Sequence, residues 1–247
     1  MARNSGINVA LIPARAGSKR LPFKNVKLLN GAPLIAYTII SAIQADVFTE
    51  IVVSTDSPEI ADIAQEWGAK VPKLRPEEFA TDSSSDIEWV RHAVSELVSI
   101  PQHSVDKVSI LRPTNPLRKS SSIVEAMAKL NDCTWADSIR AMERTDKHPG
   151  KMWILDENKH ALPFLDQSSE AIPTFNRPTQ TLQKLWVQNA SLEIAKLSSI
   201  VRTQKISGDK VIGIELPSFE GFDINTQLDW DLLEFLVSRN PDLLPKL

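Results

Sequence analysis

The stretch IPARAGSKRLPFKN (12–25) holds Arg15, Lys19, Arg20 and Lys24 with no acid among them, and Lys27 follows directly. Cations at this density suit an anion that carries several charges, a polyphosphate above all. Arg15 offers a planar fork for paired phosphate oxygens, and Lys19 and Lys24 act as mobile point charges. Gly17, beside Ala16, lets backbone N–H groups approach the same anion. This is not a P-loop, which ends Gly-Lys-Ser/Thr and runs straight into a helix; here Pro22 and the Phe-Lys-Asn triplet keep the chain extended. The alternative use of such a run is a solvated, solubilising surface. Its position directly after a buried apolar strand argues for the anion.

A complementary feature lies near the other end. Residues 215–234 carry Glu215, Glu220, Asp223, Asp229, Asp231 and Glu234 and no base. Within them, Asp223 and Asn225 stand at i and i+2 just before a helical pattern, where two oxygens can face one Mg²⁺ that keeps phosphate oxygens and water as its other ligands. Asn225 brings a carbonyl oxygen without charge, and it reads equally as a helix N-cap. Partners of both signs, an anion and a divalent cation, are the expectation.

Composition narrows the class. The chain has 247 residues and a formal charge of −3, which argues against a dedicated nucleic-acid binder. No window approaches the length of a membrane span, and the apolar run in MARNSGINVALIP is too short for a secretory leader, so a cytoplasmic protein is expected. The single cysteine, Cys133, excludes an internal disulfide and a cysteine-based metal cluster.

The elements that must position these residues alternate. Strands are predicted at 7–13, 50–55, 69–74, 106–113, 137–143, 190–196 and 210–216. Helices are predicted at 33–44, 57–68, 85–99, 120–131 and 225–239 from their apolar spacing and their caps, among them Ser57 with Pro58, and Thr226 with Asp229. Such βαβαβ order implies an α/β domain with a mostly parallel sheet and helices on both faces, whose ligands bind at the carboxyl ends of the strands. The basic loop follows the first strand and so falls on that rim. Between about 147 and 184 the rhythm breaks at Pro149, Pro163, Pro173 and Pro178, and the stretch reads as a β-rich insertion within one domain (1–247).

These motifs, taken together, resemble the CMP-sialate (acylneuraminate) cytidylyltransferases, or CMP-nonulosonate synthetases. The likeness starts at LIPARAGSKRLPFKN and continues through VVSTD (52–56), LRPEEFATDSS (74–84), LRPTNPLR (111–118), HP (148–149), QNASLEI (188–194) and FDINTQLDW (222–230), in the family's order. It implies a Rossmann-like (GT-A-type) nucleotidylyltransferase fold. The implied activity is transfer of CMP from CTP to the anomeric hydroxyl of a nine-carbon 2-keto sugar acid, with Mg²⁺ and release of pyrophosphate. Pre-placed cations are then the catalytic machinery, since such transfer relies on positioning and electrostatic stabilisation.

By the same resemblance, Arg15 and Lys24 contact the triphosphate with Lys19 close by, and Asn25 touches the nucleotide. Ala16, Gly17, Arg75, Asp82 and Ser84 belong to the segments around it, and Asp223 with Asn225 holds the metal. Arg112, His148, Arg177 and Asn189 are assigned to the sugar side. Two departures bear on the sugar: Arg112 stands where the family commonly has Gln, and Asn189-Ala190 where it has Asn-Gly. A third, Asn225 in place of the usual Asp, bears on the metal. The resemblance further implies a homodimer in which the 147–184 arm reaches the partner; a lid on its own subunit is the alternative. Competing functions are CMP transfer to eight-carbon Kdo and a non-catalytic nucleotide-binding paralogue. A dinucleotide oxidoreductase fails for want of Gly-x-Gly-x-x-Gly after the first strand. No side chain stands out as a general base.

Overall fold

The computed structural model describes residues 6–81, 84–97, 100–165, 172–217 and 219–247. In chain order the first elements are β1 (Ile7–Pro13), the short strands β2 (Leu28–Leu29) and β3 (Ala32–Pro33), α1 (Leu34–Ala45), β4 (Glu50–Ser54), α2 (Pro58–Glu66) and α3 (Asp86–His92). They are followed by β5 (Val105–Ile110), α4 (Ser120–Asp132), β6 (Ser138–Thr145), β7 (Trp153–Leu155) and β8 (Ala161–Pro163). The chain ends with β9 (Leu185–Lys196), α5 (Leu197–Thr203), β10 (Val211–Glu215) and α6 (Gln227–Arg239). Residues Met1–Ala141 with Asn189–Leu247 form one compact unit, and Met142–Gln188 a second.

The first unit is built on a mostly parallel six-stranded sheet of order β10-β6-β9-β5-β1-β4. β1 runs parallel to both β4 and β5, while β9 is antiparallel to β5, with Lys107 opposite Lys196 and Ile110 opposite Glu193. The apolar run of β1 is continuous because both of its faces are covered. Ala10 and Ile12 pack with Ile35 and Ile39 of α1, Ile60 of α2 and Ile123 of α4. Val9 and Leu11 turn the other way, onto Trp89 and Val90 of α3 and Ile200 of α5. Each fully buried side chain of this kind contributes about 1.5–3 kcal/mol. A third cluster joins Trp230 and Leu233 of α6 to Leu34 and Tyr37 on another side of α1. The sheet therefore holds the ends of β1 and β5 rigidly side by side.

Local chemistry explains several boundaries. Ser57 accepts the Ile60 N–H at 3.3 Å and Pro58 occupies the first helical position, so α2 starts there; Gly68 at φ +93° takes the chain out of it. Thr226 and Asp229 cap α6 reciprocally, with the Thr226 N–H donated to Asp229 Oδ2 at 2.7 Å. Three expectations differ. The strand predicted at 69–74 shrinks to a single bridge between Lys70 and Val52, since Pro72 has no N–H to extend it. The helix predicted at 85–99 is α-helical only to His92 and widens to a π turn over Ala93–Leu97. There the Ser95 hydroxyl donates to the Arg91 carbonyl at 2.8 Å and competes with the backbone. Pro33, predicted to open α1, pairs with Leu28 instead, and Asn30 and Gly31, both at positive φ, turn this small hairpin.

The second unit contains 3₁₀ turns and the antiparallel pair β7–β8, with Ile154 opposite Leu162. Trp153 packs on Phe175 with ring centroids 4.7 Å apart. Gly150 sits so close to Thr174 that a Cβ there would lie 2.4 Å from its methyl group, which only glycine avoids. Ile154, Leu155, Leu162 and Trp186 stay exposed in the chain as it stands.

Candidate active site

The loop after β1 is anchored at its base and open at its tip. The Ala14 N–H is donated to the Ser54 carbonyl at 2.9 Å, and the Ala16 N–H to Asp56 Oδ1 at 2.8 Å. Buried Asn25 donates back to the Arg15 carbonyl at 3.1 Å. Between these ties Gly17 has nothing within 4 Å of where a Cβ would stand, so its backbone is open to a ligand. A cleft of about 560 Å³ lies here, and Arg15, Lys19, Arg20, Lys24, Arg75 and Arg112 all line it. The cleft is an anion receptor on charge alone.

Two of these cations are held in distinct ways. Arg75 is buried, with Nε donated to Ser54 Oγ at 2.9 Å, Nη2 to the Ser54 carbonyl at 2.8 Å, and its guanidinium stacked over Trp89. Burial lowers its pKa to about 10 against the opposing pull of Asp56 and Asp86. Lys24 donates to the Ile224 carbonyl at 2.6 Å. Burial pushes its pKa below the ordinary lysine value, with Asp223 pulling it back up and Arg20 and Arg15 lowering it further. An anion entering the cleft reverses that cost, because it stabilises the charged forms of both.

The opposite wall comes from the segment after β5. Asn115 is fully buried and donates to the Phe222 carbonyl at 3.0 Å, and the Ile224 N–H is donated to the Thr114 carbonyl at 3.0 Å. These bonds bring residues 222–225 to the basic loop although Lys24 and Ile224 stand 200 positions apart in sequence. Arg20 Nη2 donates to Asn225 Oδ1 at 2.9 Å, and Asn225 Nδ2 donates to Asp223 Oδ2 at 2.6 Å. The second carboxylate oxygen of Asp223, Oδ1, is buried with no hydrogen-bond partner. A buried carboxylate oxygen with no hydrogen-bond donor is a costly arrangement unless a cation or donor completes it. Asp223 therefore fits a Mg²⁺ ligand. The Asn225 oxygen is already engaged by Arg20. Among the described residues no three His, Cys, Asp or Glu side chains gather as a cage.

The remaining sequence-predicted residues divide. Ser84 lines the cleft and staples its own loop, donating to the Glu78 carbonyl at 2.9 Å; Asp82 lies outside the described residues. Asn189 uses its Oδ1 to accept the Ser191 N–H at 3.2 Å, leaving its buried Nδ2 without a partner. His148 and Arg177 belong to the second unit. There His148 Nδ1 accepts the Gly150 N–H at 3.0 Å and caps a 3₁₀ turn, and Arg177 follows the turn Thr174–Asn176. Sequence reasoning missed Asp86 and Trp89, which line the cleft from α3. It also missed Arg118, which is fully buried. Asp86 falls inside the helix predicted at 85–99, with nothing in the sequence to mark it for the cleft. Arg118, at the end of LRPTNPLR, carried no signal of burial.

The sequence model described as cytidylyltransferase matches residues 9–193. The CMP-N,N'-diacetyllegionaminic acid synthase of Legionella pneumophila is 38% identical over 240 residues, covering 96% of this chain and 98% of that one. The N-acylneuraminate cytidylyltransferase of Escherichia coli is 30% identical over 91% of this chain, which spans about 50% of that longer protein. Among solved structures, a CMP:2-keto-3-deoxy-manno-octonic acid synthetase complexed with CTP superposes with a TM-score of 0.66 over 94% of this chain and 99% of that one. At 16% identity this is a likeness of fold.

Proposed function

The chain belongs to the cytidylyltransferase family, and from that premise we propose that it transfers CMP from CTP to the anomeric hydroxyl of a nine-carbon 2-keto sugar acid, releasing pyrophosphate. The observation that carries the reading is the cleft itself. Six cations line it, and a partnerless carboxylate oxygen of Asp223 stands on the segment to which Lys24 is bonded. Relatives named for legionaminic and N-acylneuraminic acids favour a nine-carbon acid over the eight-carbon one in the name of the structural neighbour.

In this reading Arg15, Lys19 and Lys24 bind the triphosphate, and the open backbone at Ala16 and Gly17 admits it closely. Asn25, Arg75 and Ser84 surround the nucleoside. Asp223 holds Mg²⁺, with Asn225 fixing its other oxygen, and the ion supplies Lewis-acid polarisation of the phosphate. Charge that builds on the departing pyrophosphate falls on guanidinium and ammonium groups already in place, so little reorganisation is needed. Arg112 and Asn189 of the first unit serve the sugar acid. Exposed apolar side chains on Met142–Gln188, such as Ile154, Leu155 and Trp186, support a homodimer in which this arm is covered by the partner. The cytoplasm, where CTP is held, is the compartment the reading requires.

The test is release of pyrophosphate from CTP and Mg²⁺ with a panel of sialic, legionaminic, pseudaminic and Kdo acids. Turnover on at least one nine-carbon acid, faster than on Kdo, is expected. Stabilisation by CTP with no turnover on any acid would instead mark a nucleotide-binding paralogue.

A further inference from the structure

Arg112 follows β5, and its Nη2 donates to Asp86 Oδ2 in the first turn of α3. The other oxygen of Asp86 accepts the Trp89 indole N–H at 2.9 Å, so the carboxylate is fixed from two directions. The backbone of Arg112 is fixed as well. Its carbonyl accepts from Nη2 of the buried Arg118 at 2.8 Å and from the Asn115 N–H at 3.2 Å. Among the described residues nothing else takes a hydrogen bond from the Arg112 guanidinium, whose side chain is 27% exposed and lines the cleft. Further N–H donors are thus presented to a ligand in an orientation set before it arrives.

The ion pair decides which ligand. Arg112 and Asp86 together carry no net charge, so they add little to the field that holds a triphosphate; the basic loop supplies that. What remains is a planar, directional donor edge, which matches a planar carboxylate of single charge. Resting on the function proposed above, we infer that Arg112 is the receptor for the carboxylate of the sugar acid and that Asp86 is its positioning residue. The pair selects acids over uncharged sugars of the same size.

The experiment takes whichever of N-acetylneuraminic acid and N,N'-diacetyllegionaminic acid the unmodified enzyme turns over faster, and sets it against its C1 carboxamide. Arg112→Gln is expected to raise KM for the acid by about tenfold or more, as for a lost charged hydrogen bond, with KM for CTP within about twofold. It should also erase most of the preference for acid over amide. Asp86→Asn should move the acid KM in the same direction, and the double variant should be no worse than Arg112→Gln, because Asp86 acts through Arg112. Should Arg112→Gln fail to fold, Arg112→Lys, which keeps charge without the fork, is expected to show the same split. An unchanged acid KM, an equal rise in KM for CTP, or additive effects of the two single variants overturns the inference. If the unmodified enzyme neither binds CTP by calorimetry nor turns over any acid, the proposed function falls and takes this inference with it. If turnover is intact and Arg112→Gln behaves normally, this inference falls alone.

Discussion

Two loops leave neighbouring strands of one sheet and face one cleft, yet they are built differently. The loop after β1 has its backbone tied near its ends and only the side chains of Arg20 and Lys24 reaching the 224–225 segment; it keeps Gly17 in open space and leaves Phe23 at positive φ and largely exposed. The loop after β5 is sunk into the protein. Asn115, Leu117 and Arg118 are buried, and Arg118 binds the Ser191 and Arg112 carbonyls while Ser41 binds its own carbonyl at 2.6 Å. Burial lowers the Arg118 pKa to about 9, against the pull of Glu220. A chain that must close on a flexible polyanion carries charge without rigidity. A chain that must hold direction accepts the cost of burying an arginine to gain fixed geometry.

The sharpest way to break this contrast is Arg118→Met. It removes the guanidinium donors to the Ser191 and Arg112 carbonyls and the buried positive charge that pairs electrostatically with Glu220, and is expected to lower stability by about 3 kcal/mol, a fall of roughly 6–12 °C in Tm by calorimetry. A Tm unchanged within error would mean the β5 loop is not locked from inside. The β1 loop should respond in the opposite way: Lys24→Ala or Arg15→Ala should cut kcat by about tenfold or more while Tm moves little.

A pH profile sharpens the same point. Burial makes Lys24 easier to deprotonate than an ordinary lysine, and raising the pH removes the charge that binds phosphate. The alkaline limb of kcat/KM for CTP should therefore fall below the ordinary lysine value of about 10.4 and move upward in Lys24→Arg, which stays protonated. A limb that does not move would exclude Lys24 as its source. The smallest effect is expected at Gly17→Ala. With nothing near the added methyl group, stability should stay within about 0.5 kcal/mol, while KM for CTP rises a few-fold if the backbone there approaches the nucleotide.

Most of the first unit was legible in the sequence. β1 read as buried because its apolar run is unbroken, and α2 and α6 announced themselves through Ser57-Pro58 and Thr226–Asp229. The Asn30-Gly31 pair carries the turn chemistry of a hairpin, but the four strand residues around it are too few to show a period. The π turn after His92 had no pattern to betray it.

What the sequence determined by itself was the kind of chemistry: cations concentrated after a buried strand, an acidic segment near the end, and a strand–helix alternation that puts the first of these on a sheet rim. Charge and periodicity are local properties, so they survive being read in one dimension. The tertiary structure alone decided who faces whom. Arg20 meets Asn225, Asp86 orients Arg112 and Arg118 fastens both strands of the wall, because hydrogen bonds are formed by distance and angle in space, and residues 200 positions apart acquire those only when the sheet is assembled.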